Sequence, residues 1–260
     1  MNRSILLALP LVGLVALCSS ASAQTWGDLT GSFKLKGNAP AMDKIVPDKD
    51  VAVCGKHKLL VEKLAVGKDG GIANIAIYLL SPPGKKVAVH PDYEKASEEK
   101  QFMDNEGCRF LPHMVAVRTG QPVILGNKDP VGHNMKAEFF NNTPFNDLIP
   151  AGGKIEKTFS AAESAPVKVE CGIHPWMNGW MVVREDPYVA VTDETGSFTI
   201  KNLPVGEHTF IVWQENAGYV SDVSVNGKAT KWTRGRVKVS IKPGANKLGE
   251  IEVTPKALKF

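Results

Sequence analysis

Short β-prone runs, each ended by a cluster of Gly, Pro, Asn or Asp, recur along most of the chain and constrain its fold more than any other feature. Residues 31–36, 63–66, 72–80, 114–118, 122–125, 166–169, 180–184, 197–200, 208–213, 236–241 and 249–254 are of this kind. Runs of this length rich in Val, Ile and Phe fit a pleated, half-buried surface, and the residues between them favour turns. Many short strands without long helical periods between them argue for sandwiches or barrels over βαβ units. Only residues 92–101 and 139–148 read as candidate helices, and neither sustains a 3.6-residue period, so at most they form short helical pieces. The expected class is all-β.

Residues 1–23 read as a secretory leader. Arg3 supplies a positive start, residues 5–17 an apolar run of 13 residues, and Ala21-Ser22-Ala23 the small residues of a cleavage site before Gln24. A run of that length is short for a membrane span, and no later stretch is apolar enough to be one. Cys18 offers a competing lipid-attachment reading, which the bulky Leu17 before it disfavours. The expected location is the periplasm or the exterior. The formal net charge of +4 is spread over scattered Lys and Glu, with no dense basic run of the kind nucleic acid requires.

Four cysteines are present, and removal of the leader takes Cys18 with it. Exported chains pair their cysteines, so Cys54, Cys108 and Cys171 leave one thiol over. Cys54 opens a C-x-x-H with His57, which could form a second metal site with Cys108 and His113. The favoured reading is a Cys54–Cys108 disulfide, which leaves Cys171 free.

Cys171-Gly172-Ile173-His174-Pro175-Trp176-Met177 delivers a thiol, an imidazole and a thioether in one short loop between two expected strands. His133, after Asn127-Lys128-Asp129 and before Asn134, offers a second imidazole 38 residues upstream of Cys171. Soft sulfur suits Cu(I) and nitrogen suits Cu(II), and the handiest compromise is a His₂Cys plane with a weak axial Met. Zinc is the competing metal, but Met is a poor zinc ligand and paired C-x₂-C or H-x₃-H groups are missing here. No C-x-x-C-H is present for a c-type haem. Of six His, only His133 and His174 lie in ligand-like segments, too few for an oxidase with several copper sites. Met103, Met114 and Met135 read as core filling, and His90 and His208 as surface or turn residues.

The 171–177 loop resembles the short ligand loop of amicyanin-type proteins of the cupredoxin, or blue-copper, family in its ligands, their spacing, and the proline and aromatic between His and Met. His133-Asn134 resembles the first-ligand segment of that family, and residues 107–110 and 117–121 its opening strands. Glu170 stands where the family often has an aromatic. The resemblance implies a Greek-key β-sandwich over residues 103–187. It also implies one type 1 copper ion on His133, Cys171 and His174, with Met177 axial. Asn134 is then expected to hydrogen-bond across the two ligand segments, and the surface around His174, Pro175 and Trp176, on a loop at the protein's end, to form the docking face. The implied function is non-enzymatic: single electrons carried between redox proteins such as a c-type cytochrome or a dehydrogenase. The alternative is a copper-binding, carrier or carbohydrate-contact module without redox traffic. The flanks resemble a second family. Thr192-Asp193-Glu194-Thr195-Gly196-Ser197-Phe198 and Leu203-Pro204-Val205-Gly206 look like the hairpin of carboxypeptidase regulatory-like, transthyretin-type sandwiches. That implies a discontinuous sandwich of residues 24–102 and 188–260 with the copper segment inserted in it.

Overall fold

The computed structural model describes residues 25–81 and 86–260, and the expected leader lies outside them. The chain is all-β, with four sheets among the described residues. Among the described residues no helix is long and apolar enough to cross a membrane.

In the first sheet, strand Trp26–Leu35 runs antiparallel to Ser197–Pro204 and parallel to Gly244–Val253. The hairpin Asp222–Val225 and Lys228–Lys231 extends the sheet. Its Asn226-Gly227 turn has φ of 49° and 80°, the positive pair that a tight two-residue hairpin needs. The second sheet orders Val189–Val191, Ala76–Leu79, Gly206–Gln214 and Gly218–Tyr219, with Arg236–Ile241 pairing Gly206–Gln214. Phe33, Ile72, Ile77, Phe198, Phe210, Val212 and Ile251 fill the space between these two sheets. Each such side chain contributes about 1.5–3 kcal/mol relative to exposure. Gly196 closes the turn into Ser197–Pro204 at φ 78°, and a Cβ there would lie 2.0 Å from the Phe33 carbonyl oxygen. Asp193 caps the same turn by accepting from the amides of Thr195 and Ser197.

Between Ala76–Leu79 and its antiparallel neighbour Val189–Val191 the chain leaves this sheet pair and builds two further sheets. One orders Met114–Arg118, Asn178–Arg184, Val167–Glu170, His133–Ala137 and Phe145–Ile149. The other orders Phe110–Leu111, Gln101–Asn105, Val123–Asn127 and Lys154–Lys157. Their shared core includes Met103, Phe110, Val117, Leu125, Met135, Val169, Met181 and Val183. Met103, Met114 and Met135 are all buried.

The two sheet pairs meet at a third apolar cluster of Ala76, Tyr78, Met114, Val182, Ile211 and Trp213. There Trp180 packs edge-on against Trp213 at 4.6 Å between ring centres. Arg184 donates to the Leu79 and Glu163 carbonyls and covers the Tyr78 ring. His113 Nε2 lies 2.7 Å from Glu215 Oε1, and Trp180 Nε1 donates to the other carboxylate oxygen.

Two expectations need correction. Of residues 139–148, the part at Phe145–Ile149 is a strand, not a helix, and its burial alternates because it is the outer strand of its sheet. Within residues 92–101, Asp92–Ala96 is helical, the short piece expected there. Residues 63–66 make only an isolated bridge, Val66 to Ile72. The long connection after Trp26–Leu35 instead crosses to the other sheet pair, where Cys54 and Leu59 are buried in its core and Ile45 and Val53 pack against it.

Candidate metal centre

Strand Val167–Glu170 pairs with Asn178–Arg184, and residues 171–177 are the tight connection between them. The Cys171 amide donates to the Met177 carbonyl and the Met177 amide to the His174 carbonyl, so the loop closes on its own backbone. His133 is the first residue of strand His133–Ala137, the neighbour of Val167–Glu170. Adjacent strands therefore carry the upstream His and the ligand loop to the same end of one sheet.

The four side chains are almost wholly buried: His133 and His174 at 0%, Met177 at 1% and Cys171 at 2% exposure. Ligand atoms of His133, Cys171 and His174 all lie within 4.8 Å of one another. The imidazole rings are 4.5 Å apart between centres, and His174 Nδ1 is 3.6 Å from Cys171 Sγ. Cys171 is the free cysteine among the described residues.

Carboxylates settle which ring nitrogens are available. Carboxylates accept only, so an imidazole nitrogen beside one carries the proton. Asp129 Oδ2 lies 2.9 Å from His133 Nε2, and Asp50 Oδ2 lies 2.9 Å from His174 Nε2. Nδ1 is left as the lone-pair nitrogen of each ring. On His133 it is buried with no hydrogen-bond partner. An orphaned buried lone pair is costly unless something satisfies it, and a metal ion does so. Burial, reinforced by the neighbouring His174, holds the His133 pKa below the ordinary imidazole value, which keeps that lone pair free. The donor set of two imidazoles and a thiol, with a buried methionine in the same loop, fits copper.

Asn134 sits between the two ligand segments. Its Oδ1 accepts from the amides of Gly172 at 2.7 Å and Ile173 at 3.1 Å, and lies 3.4 Å from Cys171 Sγ. Its Nδ2 donates to Asn146 Oδ1 on the next strand. Asp129 also accepts from the amides of Gly107 and Cys108, a turn in which both residues have positive φ.

Cys54 and Cys108 form a disulfide, which removes both thiols from any second metal site. His57 is exposed, and His113 turns to Glu215. Trp176 Nε1 donates to the Cys108 carbonyl, and its ring stands 5.1 Å from that of His174. Pro175 is exposed and Trp176 partly so. His174 itself is buried, because Asp50 and the connection that carries it cover its outer edge. Asp50 and Asp129 are the two site residues that the sequence reading missed. Asp129 had a local signal, four residues before His133; Asp50, 124 residues before its partner, had none.

No protein-family model matches this sequence, and no curated protein matches it. Partial likenesses to solved structures include amicyanin from Paracoccus versutus, at 22% identity over 41% of this chain and 96% of that one, TM-score 0.29. A purple cupredoxin from Nitrosopumilus maritimus matches at 23% identity over 32% of this chain and 98% of that one, TM-score 0.27. A copper-containing nitrite reductase from Thermus scotoductus matches at 20% identity over 40% of this chain, TM-score 0.30, and only 25% of its own length is spanned.

Proposed function

We propose that this chain is an exported one-electron carrier, not an enzyme, with a single type 1 copper ion that His133, Cys171, His174 and Met177 would hold. The observation that carries the reading is the buried convergence of His133, Cys171 and His174, with the His133 Nδ1 lone pair unclaimed by the protein. Copper bound there supplies a couple that takes up and returns one electron. The protein's part is to hold the ligands still. Asn134 ties the ligand loop to the His133 strand, burial keeps water from the ligands, and each carboxylate fixes one imidazole in the tautomer that leaves Nδ1 free.

We read residues 103–187 as a cupredoxin-like sandwich inserted in a regulatory-like sandwich of residues 24–102 and 188–260. The pairing of Ala76–Leu79 with Val189–Val191 supports this, since the chain leaves and returns on neighbouring strands. The partner is a redox protein such as a c-type cytochrome or a dehydrogenase, met over a small face near Pro175 and Trp176. The location is the periplasm or the exterior.

Stopped-flow mixing of the Cu(I)-loaded protein with a ferric c-type cytochrome tests the carrier function. Expected is one cytochrome reduced per copper oxidised. Copper that stays bound and exchanges no electrons contradicts the carrier reading and favours copper handling without redox traffic.

A further inference from the structure

We propose that Asp50 is the positioning residue for His174, supplied from outside the ligand-bearing strands, and that its carboxylate biases the site toward Cu(II). The inference rests on the copper reading above and deepens it.

The two imidazoles are held alike, but by carboxylates of different origin. Asp129 lies in the turn that leads into the His133 strand, four residues from its partner. Asp50 lies in the long connection between Trp26–Leu35 and Ala76–Leu79, two strands of the other sheet pair. That connection reaches the metal centre and is fastened there. Cys54, four residues past Asp50, is disulfide-bonded to Cys108, whose carbonyl accepts from Trp176. Backbone bonds from the Val53 and Cys54 amides to the Asp50 carbonyl hold Asp50 itself in a left-handed turn, φ 45°. The disulfide thus fixes the place from which Asp50 reaches His174.

Two consequences follow. A carboxylate on the far nitrogen fixes ring orientation and raises ligand basicity, which favours the more highly charged metal ion. With the thiolate and Asp129, Asp50 adds a third negative group around the site, again favouring Cu(II). Its side chain is 39% exposed, so solvent screens part of that charge. The expected effect therefore lies at the lower end of the range for such outer partners. Asp50 also covers the imidazole edge, which removes His174 from the surface.

Asp50→Asn and Asp50→Ala separate charge from position. In Asp50→Asn the amide oxygen still accepts from Nε2–H, so the intense visible band of thiolate-to-copper charge transfer that a His₂Cys site gives is expected to persist. Meanwhile the Cu(II)-to-Cu(I) balance is expected to shift about tenfold toward Cu(I), an upward move of about 59 mV for one electron. In the metal-free protein, the His174 Nε2–H proton resonance should be protected from solvent exchange in the wild type and in Asp50→Asn, and lost in Asp50→Ala. A single cooperative urea transition in each variant certifies its fold. A wild type with the band and an Asp50→Asn potential equal to its own overturns the role of Asp50 and leaves the copper site standing. A wild type that binds Cu(II) without the band overturns both.

Discussion

Asp129 and His133 stand 2.9 Å apart, and the same carboxylate accepts the amides of Gly107 and Cys108. One buried side chain therefore orients a candidate ligand and holds the turn that carries the disulfide. Asp129→Ala is expected to lower the stability of the metal-free protein by about 2–3 kcal/mol, since two amides and an imidazole N–H lose a charged acceptor. It is also expected to weaken copper binding about 10–100-fold. Urea unfolding and competition with a chelator measure the two effects; a loss of neither would show that His133 needs no support.

Asn134 bonds to loop residues 172 and 173 through one oxygen. Asn134→Ala is expected to weaken copper binding about tenfold, while Asn134→Asp, which keeps an acceptor there, should weaken it less. Copper titration of both variants distinguishes a lock on the ligand loop from a surface contact.

The Cys54–Cys108 bond spans a sequence separation of 54 residues between fully buried cysteines. A paired Cys54→Ser and Cys108→Ser variant is expected to lose about 4 kcal/mol in the chain-entropy account, read as a lower urea midpoint. Because this bond also anchors the connection that bears Asp50, the His174 Nε2–H proton should exchange faster in that variant.

His113 and Glu215 give the junction of the sheet pairs a pH dependence. Burial opposes a charged His113, but the hydrogen bond to Glu215 and the charges of Glu215 and Glu62 together outweigh it and raise the pKa. A raised folded-state pKa contributes stability that is fully present below the unfolded value of about 6.5 and is lost as pH rises through the folded value. The gap in melting temperature between wild type and Glu215→Gln should thus be largest near about pH 6 and shrink as pH rises. A gap that is constant or that grows with pH contradicts the pairing.

The strands facing a core were legible because their apolar residues run together, as in Met114–Arg118, or alternate, as in Arg236–Ile241, both read at their true bounds. Charged outer strands were not. Lys154–Lys157 and Lys228–Lys231 carry the charges that keep sheet edges from pairing further, and so read as loop. Phe145–Ile149 misled for another reason: Phe145, Leu148 and Ile149 fall at helical spacing, while the partner strand His133–Ala137 decides the structure. In the site, the four ligand candidates were legible because three of them share one loop. The cover over His174 was not, because a connection without regular periodicity carries no mark of the distant side chain it will meet.

Addition of one equivalent of Cu(II) to the wild type and to Cys171→Ser, followed by visible absorption, tests the copper site most directly. The wild type is expected to develop the intense thiolate-to-copper charge-transfer band of a His₂Cys site, and Cys171→Ser to show none. A wild type that binds copper without that band, or a band that survives the loss of Cys171, contradicts the account.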